Sequence, residues 1–258
     1  MSQTWAMFRV LRVDLSYFFR TKWLIATLVA LNLSDMLVVG LIYTHMMSFD
    51  YFVFFAPGVV VSAMFAAALD VGRRVYLGLS EGVTQYYLSL PISLRALTWA
   101  HLFSAGFGGM IYGGIILAFA VAAVPQLASP AIILFVPLMF VLSMGLGGIT
   151  AVLNLFSKGG DRYWVFAEGV QTALLGLSTV FYPIQAMQAV LPSPVVGVVL
   201  ANPLSQAVDA LREAVVSSPT LTSGATLQVV VTSLLLMLVG AVAYRHVFAK
   251  VREEGKVS

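Results

Sequence analysis

The sequence predicts an all-α membrane protein with six transmembrane helices, a fold class indicated by its composition and its hydropathy pattern. Of the 258 residues, 60% are hydrophobic and 10% are charged, against about half and about a quarter in soluble domains. Six apolar stretches each approach the roughly 20 residues that a helix needs to cross a bilayer. They lack the alternation of barrel strands, and backbone polar groups cannot stay unpaired in lipid, so helices are expected. The stretches are 23–44, 54–71, 100–124, 131–156, 164–181 and 227–244.

The distribution of Lys and Arg predicts the orientation of these helices. If the six stretches cross a membrane in alternation, 13 of the 14 Lys and Arg residues fall on one side, and only Arg212 falls on the other. Basic residues that flank spans are retained in the cytoplasm. We therefore expect both termini to be cytoplasmic and the chain to be a multi-pass protein of the cytoplasmic (inner) membrane, in contact with the lipid bilayer.

Charge and cysteine content exclude several classes of function. The net charge of +3 is spread over turns beside the spans, where orienting the helices is a sufficient explanation, so no nucleic-acid partner is expected. The absence of cysteine excludes disulfides and thiolate chemistry. The first apolar stretch is full length, so we expect a retained signal anchor and a single transmembrane domain over residues 1–258.

The segment before the first span, residues 1–22, is predicted to be an amphipathic helix lying along the cytoplasmic membrane surface. Aromatic side chains together with arginines suit the headgroup boundary. On a helix, Arg9 and Arg20 fall on one face, and Arg12 interrupts the separation. The opposite face carries Trp5, Phe8, Leu11, Leu15, Phe18 and Phe19.

Two connections between spans are long enough to form structure of their own. The cytoplasmic segment 72–95 is charged, aromatic and interrupted by Pro91. The segment 182–224 contains short apolar pieces broken by prolines. Apolar helices too short to span, placed at a membrane face, predict a re-entrant external hairpin before the last span.

The chain carries no motif for catalysis or nucleotide binding. A P-loop needs a lysine in G-x-x-x-x-G-K-[ST], whereas the glycine-rich stretches 106–114 and 145–148 contain none and are predicted to be helix-packing surfaces. The three histidines, His45, His101 and His246, are far apart and lack companion ligands. We predict no catalytic residues, cofactor site or metal site, and a structural or interfacial role for His101.

Three carboxylates lie inside or at the end of predicted spans, namely Asp35, Asp70 and Glu168, and Glu168 is expected to pair with Lys158 or Arg162. Asp35 is near the middle of the first span beside Asn32, where it either faces a polar substrate path or makes a hydrogen bond between helices. Asp70 precedes Arg73 and Arg74 at spacings of three and four residues. That spacing allows pairing on one helix face, so Asp70 is expected to be structural.

Two segments in the first half of the chain carry short motifs. Phe55-Ala56-Pro57-Gly58 places a Pro-Gly pair at the start of the second span. Glu81-Gly82 is followed, nine residues after the glycine, by Pro91-Ile92-Ser93. Glycine and proline are turn and helix-stop residues, which a short helix between two spans requires at its ends.

A third segment precedes the last span. It contains Phe181-Tyr182-Pro183-Ile184, Asn202-Pro203-Leu204 and Val208-Asp209-Ala210-Leu211-Arg212. In order, spacing and placement, the three segments resemble the permease subunit of the ABC-2 class of ATP-binding-cassette exporters over nearly the whole chain. The chain departs from the family where Leu79-Ser80 precede Glu81 and where Val83 replaces a threonine.

The resemblance implies a permease without a nucleotide site of its own. Two six-helix copies, expected to form a homodimer, pair with two separate ATPase subunits that bind ATP and Mg, and export an amphiphilic, drug-like or lipid-like substrate by alternating access. A charged and aromatic short helix suits a cleft on a soluble partner. The residues expected in ATPase coupling are Glu81, Gly82, Tyr86, Tyr87 and Pro91, and those expected in the substrate path or gate are Asn32, Asp35, Phe181 and Tyr182.

Two alternatives remain open at the level of sequence. The same fold exports lipid-linked polysaccharides, and the residues do not distinguish that cargo from a drug or lipid. A proton-coupled secondary carrier that uses Asp35 is a rival from another class, although such carriers usually hold several membrane-embedded carboxylates or histidines.

Overall fold

The structure, a computed structural model, describes residues 3–20, 22–46, 50–123, 125–128, 131–156, 162–216 and 224–254. Within those ranges the regular elements are eleven α-helices and a 3₁₀ turn at Pro125–Leu127. The α-helices are α1 (Gln3–Arg20), α2 (Lys22–Met46), α3 (Tyr51–Ser80), α4 (Val83–Ser89), α5 (Leu94–Ala123), α6 (Ala131–Phe156), α7 (Arg162–Gly176), α8 (Ile184–Val190), α9 (Ser193–Ala201), α10 (Pro203–Val216) and α11 (Gly224–Glu254).

Five helices are long and apolar enough to cross a membrane, namely α2, α3, α5, α6 and α11. By length and composition the number rises to six if α9 and α10, which are bent by 71° at their junction, count as one span. The predicted fifth stretch, 164–181, forms α7, which has 15 residues and ends at Gly176. Over the residues it describes, the structure thus confirms an all-helical fold with five or six helices long and apolar enough to cross a membrane, and it corrects the end of the fifth stretch.

α3 forms the centre of the bundle. Asp50 caps the N-terminus of α3. Its Oδ1 accepts hydrogen bonds from Phe52 N at 3.1 Å and Val53 N at 3.3 Å, and such a side-chain cap satisfies the first free amides of a helix. α3 is packed by α2, α5 and α6, and its Met64 and Phe65 side chains are fully buried. A helix that is apolar on all sides is expected in such a position.

Glycines bring α6 into backbone contact with its neighbours. A Cβ added to Gly240 of α11 would collide with Gly148 of α6, and one added to Gly145 would lie 2.8 Å from the α11 backbone. Gly109 of α5 likewise leaves no room for a Cβ beside α6. Small residues allow such close approach of helices. The predicted packing role of both glycine-rich stretches is therefore confirmed.

The predicted cytoplasmic segment 72–95 is largely helical. α3 continues about two and a half turns beyond residue 71 and ends at Ser80, and a second helix, α4, follows almost at once. Hydropathy marks where charged residues begin, whereas a helix continues as long as its backbone hydrogen bonds do. The apparent loop is thus a helix extension joined to a short helix.

The N-terminal segment forms α1, which packs against α5. Ala6, Val10 and Leu11 are buried, whereas Trp5 and Phe8 are exposed. Leu11 lines the same surface region as Phe8, Leu15 and Phe19, and it is the buried member of that group. The position of α1 at a membrane surface stays a prediction. Residues 1, 2 and 21 of the predicted segment 1–22, and 217–223 of the predicted hairpin 182–224, lie outside the described residues.

Candidate functional site

Two clusters of polar side chains lie at different ends of α3. One contacts the carbonyl of Phe54 and the other contains Asp70, and sixteen helical residues separate these positions by about 24 Å. The hairpin cluster consists of Thr179, Asn202, Ser205, Asp209 and Arg212. The Asp14 cluster consists of Asp14, Asp70, Arg74 and His101.

Asn202 fixes the bend between α9 and α10. Its side-chain amide donates hydrogen bonds to Leu174 O at 2.7 Å and Leu177 O at 2.6 Å, and its Oδ1 accepts one from Leu204 N at 2.9 Å. The last carbonyls of a helix have no partner within it, so Asn202 supplies what the end of α7 lacks. This buried side chain ties the hairpin helices to α7.

Arg212 ties α10 to the first turn of α3. Its Nε and Nη2 each donate to Phe54 O at 3.1 Å, and its guanidinium carbon lies 3.6 Å from the Phe54 ring centroid. Pro57 lacks an N–H for the carbonyl of Val53, so backbone pairing is already interrupted in this turn of α3. Arg212 Nη1 also donates to Asp209 Oδ1 at 3.3 Å.

The segment after α7 completes the hairpin cluster. Thr179 N donates to Ser205 Oγ at 3.1 Å, and Thr179 Oγ1 donates to Asp209 Oδ1 at 3.1 Å. A Cβ added to Gly58 of α3 would lie 2.6 Å from Val180 O. Only glycine therefore allows this segment to approach α3 so closely.

This arrangement places the predicted gate residues Phe181 and Tyr182 in different environments. Tyr51 OH donates to Phe181 O at 2.6 Å, and the ring centroids of Phe181 and Phe55 lie 5.8 Å apart. Tyr182 is 52% exposed. Phe181 is thus packed against the start of α3, whereas Tyr182 lies on the surface of the chain.

Asp14 is the centre of the second cluster. Its Oδ2 lies 2.9 Å from His101 Nδ1, and its backbone carbonyl accepts a hydrogen bond from Arg74 Nη1 at 2.8 Å. The pair joins α1 to α5, and the Arg74 contact joins α1 to α3. His101 also packs against Tyr244 and Phe248 of α11, with ring centroids 6.1 and 5.8 Å away. The predicted structural role of His101 fits these contacts.

The predicted pairing of Asp70 is confirmed for one of its two candidate partners. Arg74 Nε lies 3.2 Å from Asp70 Oδ2, the four-residue spacing of a helical ion pair. Arg73 instead places its guanidinium carbon 4.4 Å from the ring centroid of Trp164 on α7.

The residues expected in ATPase coupling lie on and around α4. Gly82 adopts φ +81°, a left-handed conformation that glycine takes at no steric cost, and it turns the chain from α3 into α4. Tyr86 is 64% exposed and Tyr87 is half-buried. Gln3 of α1 binds the Pro91 turn, because its Oε1 accepts from Ser93 N at 2.8 Å and its Nε2 donates to Pro91 O at 3.4 Å.

A cavity of about 270 Å³ lies between α4 and the Asp14 cluster. Its lining includes Asp14, Arg74, Glu81, Tyr87 and His101. Burial raises the pKa of the Tyr87 phenol, and the nearby carboxylate of Asp14 raises it further. The phenol therefore stays protonated around neutral pH and is a hydrogen-bond donor at the edge of this cavity.

Asp35 and Asn32 lie one turn apart on α2 but differ in burial and in their contacts. Asn32 Nδ2 donates to Tyr112 OH of α5 at 3.3 Å, whereas Asp35 is exposed on the outer face between Leu31 and Val38, which are also exposed. The structure therefore does not bring these two residues together with Phe181, which contacts α3.

Reasoning from the sequence missed Asp14 and did not assign individual roles to Asn202 or Thr179. Asp14 is the only acidic residue among the first 22, a signal that indicates a buried or paired carboxylate in a basic segment. Asn202 and Thr179 are separated by 23 positions in the sequence, so no local pattern joins them.

Among the described residues, no group of three or more His, Asp or Glu side chains is placed to hold a metal ion. Comparison of the chain with protein-family models and with curated proteins finds no match.

Proposed function

We propose that this chain is the permease subunit of an ATP-driven exporter of the ABC-2 class, moving an amphiphilic substrate outward across the cytoplasmic membrane. One observation carries the proposal. The segments 55–58, 181–184 and 202–212, which are far apart in the sequence, meet in and around the hairpin cluster. Motifs that resemble one family and also pack together are better support than the same motifs scattered over the fold.

The other end of α3 supports the coupling part of the proposal. Gly82 and Pro91 bracket a seven-residue helix whose Tyr86 side chain is exposed. Exposed aromatic side chains on a short rigid helix are typical anchors for a partner. We assign this helix to the contact with the ATPase, which binds ATP and Mg, one ATPase subunit for each of two permease copies.

The path of α7 supports a sixth crossing. Near its start, Tyr163 OH donates to Leu69 O at 3.3 Å, and just beyond its end Val180 packs on Gly58. Leu69 and Gly58 are eleven residues apart on α3, or about 16 Å along the helix axis. We therefore propose that α7 and the segment after it extend over about half of the roughly 30 Å hydrocarbon core, with α8–α10 as a hairpin at the outer face and both termini in the cytoplasm.

The outer face of α2 supports a second copy of the chain as a partner. Asp35 is exposed there among apolar side chains, and a carboxylate in the middle of a bilayer costs about 2.5–3.5 kcal/mol on insertion scales. Contact with a second copy, or with a water-filled path between two copies, removes that cost. We propose that α2 faces the shared interface of a homodimer.

The test of the proposed function is ATP hydrolysis that depends on assembly. The chain is purified in nanodiscs alone and with a candidate ABC-type ATPase subunit sought among the genes beside its own, either wild type or with its P-loop lysine replaced by alanine. We expect a stable complex that hydrolyses ATP only with the intact P-loop. Failure to form a complex would contradict the proposal, as would dye efflux from proteoliposomes that requires a proton gradient and no ATP.

Asp35 provides a second test, because the chain contains no cysteine. We expect Asp35→Cys to form a disulfide-linked dimer in membranes under mild oxidation. Phe119→Cys, exposed on α5, is the matched control and should stay monomeric. Equal cross-linking of both variants would remove α2 from the interface. Transport that is unchanged by Asp35→Leu would show that the carboxylate does not line the path.

A further inference from the structure

The exposed charges of α1 are all positive. Asp14, its only acidic residue, is turned toward α5 and paired with His101 at 2.9 Å. Arg9, Arg12 and Arg20 are exposed. Because the carboxylate of Asp14 is paired within the chain, the only charged groups on the outer surface of α1 are the guanidinium groups of its arginines.

Two open surface regions involve α1, and each combines apolar side chains with two exposed arginines. We call both of them grooves, although the first runs along one face of α1 and is lined by α1 residues alone. The first has a volume of about 530 Å³ and contains Arg12 and Arg20, eight residues or about 12 Å apart along the helix. Between and around them lie Phe8, Leu15 and Phe19.

The second groove has a volume of about 650 Å³ and lies between α1, the start of α5 and the C-terminal third of α11. Arg95 of α5 and Arg245 of α11 line it, together with Met7, Leu94 and Trp99. None of the four groove arginines has an acidic partner among the described residues. Arginine side chains from three separate helices are thus brought to the two flanks of one surface helix.

We propose that these two grooves bind anionic phospholipids, with one phosphate headgroup between the two arginines of each groove. The acyl chains lie along the apolar side chains of the groove, such as Phe8 and Phe19 in the first and Trp99 in the second. The planar guanidinium group matches phosphate oxygens through paired hydrogen bonds. This assignment does not rest on the proposed transport function, since it depends only on α1 and its neighbours.

Charge complementarity selects a lipid as the occupant. Basic residues next to a span attract the anionic headgroups of the cytoplasmic leaflet, and each one near the surface contributes about a fivefold preference. A free phosphate would use the arginines and leave the aromatic side chains exposed. A zwitterionic lipid would cover the aromatic side chains but carries a cationic group that the four arginines repel.

The experiment is competitive binding of phosphatidylglycerol and phosphatidylcholine to the full-length chain in a neutral detergent, read by native mass spectrometry. We expect two tightly held phosphatidylglycerol molecules and at least a fivefold preference over phosphatidylcholine. Arg12→Gln with Arg20→Gln should remove one of the two, and adding Arg95→Gln with Arg245→Gln should remove both. Arg12→Lys with Arg20→Lys, which keeps the charge, should retain most of the binding.

The matched control is Arg9→Gln with Arg252→Gln. It removes the same charge from exposed positions outside both grooves, because Arg9 is stacked 3.4 Å from the Trp5 ring centroid and Arg252 lies near the end of α11. The control should keep both lipids. Equal loss in control and groove variants, binding of inorganic phosphate in place of the lipid, or no preference for phosphatidylglycerol in the wild type would each overturn the proposal.

Discussion

The hairpin cluster and the Asp14 cluster lie toward the two ends of the same helix. Each contains an ion pair and a bond to a backbone carbonyl, and the two clusters differ in which kind of bond dominates. In the hairpin cluster, Asn202 and Arg212 donate to backbone carbonyls of α7 and α3. In the Asp14 cluster, the contacts between side chains are the Asp70–Arg74 ion pair and the 2.9 Å contact of Asp14 with His101, and a cavity of about 270 Å³ lies beside them.

This difference indicates which end of the molecule is fixed. A backbone carbonyl in a packed helix cannot rotate, so a side chain that binds it locks the two elements in one geometry. A contact between two side chains beside a cavity leaves both partners rotatable bonds, so it fixes the geometry less strictly than a contact to the backbone of a packed helix. We infer that the hairpin end is rigid and the Asp14 end is adaptable, as a contact for a moving partner requires.

The largest effect is expected from Arg212→Ala. The substitution removes the two Arg212 donors from the Phe54 carbonyl and the ion-pair partner of Asp209, which keeps only its bond from Thr179, and we expect a loss of about 3 kcal/mol of stability. Asp209 is 43% exposed, which keeps the loss below that of a fully buried pair. The measurement is thermal or denaturant unfolding in detergent, with the exposed neighbour Glu213→Ala as control. Equal stability of the two variants would show that the hairpin end is not locked by Arg212.

Asn202→Ala should have the next largest effect. Two carbonyls at the end of α7 and the amide of Leu204 lose their partners, and buried polar groups left unpaired cost about 1–3 kcal/mol in total here. Hydrogen exchange should increase in α9 and α10 while α3 is unchanged. Gln188→Ala, which removes an amide from an exposed position on α8, should leave exchange unaltered. Protection of α9 and α10 at the wild-type level would contradict the assigned role.

A double-mutant cycle on Asp14 and His101 tests the other end. Because the pair is partly exposed beside a cavity, we expect a coupling energy of about 1 kcal/mol, below the cost of losing Arg212. The cycle uses Asp14→Ala, His101→Ala and the double variant, measured by unfolding in detergent. A coupling energy of 3 kcal/mol or more would mean that the Asp14 end is as rigid as the hairpin end.

The smallest effect on stability is expected from Tyr86→Ala, because this side chain is 64% exposed and surface substitutions usually change stability by less than about 0.5 kcal/mol. The substitution should instead affect the interaction with the proposed ATPase subunit. Combined with Tyr87→Ala, it should weaken ATPase assembly by about tenfold or uncouple ATP hydrolysis from transport. Val83→Ala, also exposed on α4, is the control. Wild-type assembly and coupled activity in the double variant would remove α4 from the mechanism.

The fold class was predictable because it depends on local composition. Hydropathy located the long helices, and the four-residue spacing of Asp70 and Arg74 predicted their ion pair. The glycines predicted the close packing of α5, α6 and α11, since small residues in an apolar helix have few other uses.

The end of α7 and the members of the two polar clusters could not be predicted from local sequence patterns, because they depend on contacts between residues that are far apart in the sequence. The end of α7 at Gly176 is set by Asn202, which binds carbonyls 25 and 28 residues earlier. Asp14 and His101 are 87 residues apart, so no spacing rule joins them. Asp35 was singled out by its depth, its polar neighbours Asn32 and Ser34 and the lack of a basic residue nearby on α2, and the single chain leaves it on an exposed helix face.

The contact between Gly148 and Gly240 has a consequence for how the last helix moves. At that crossing the backbones of α6 and α11 touch with no side chain between them. Sliding either helix along the other would drive a neighbouring Cβ into the opposing main chain, whereas tilting about the crossing moves both ends and leaves the contact intact. α11 therefore pivots about this crossing, and a small displacement of one end of the helix produces an opposite displacement of the other end.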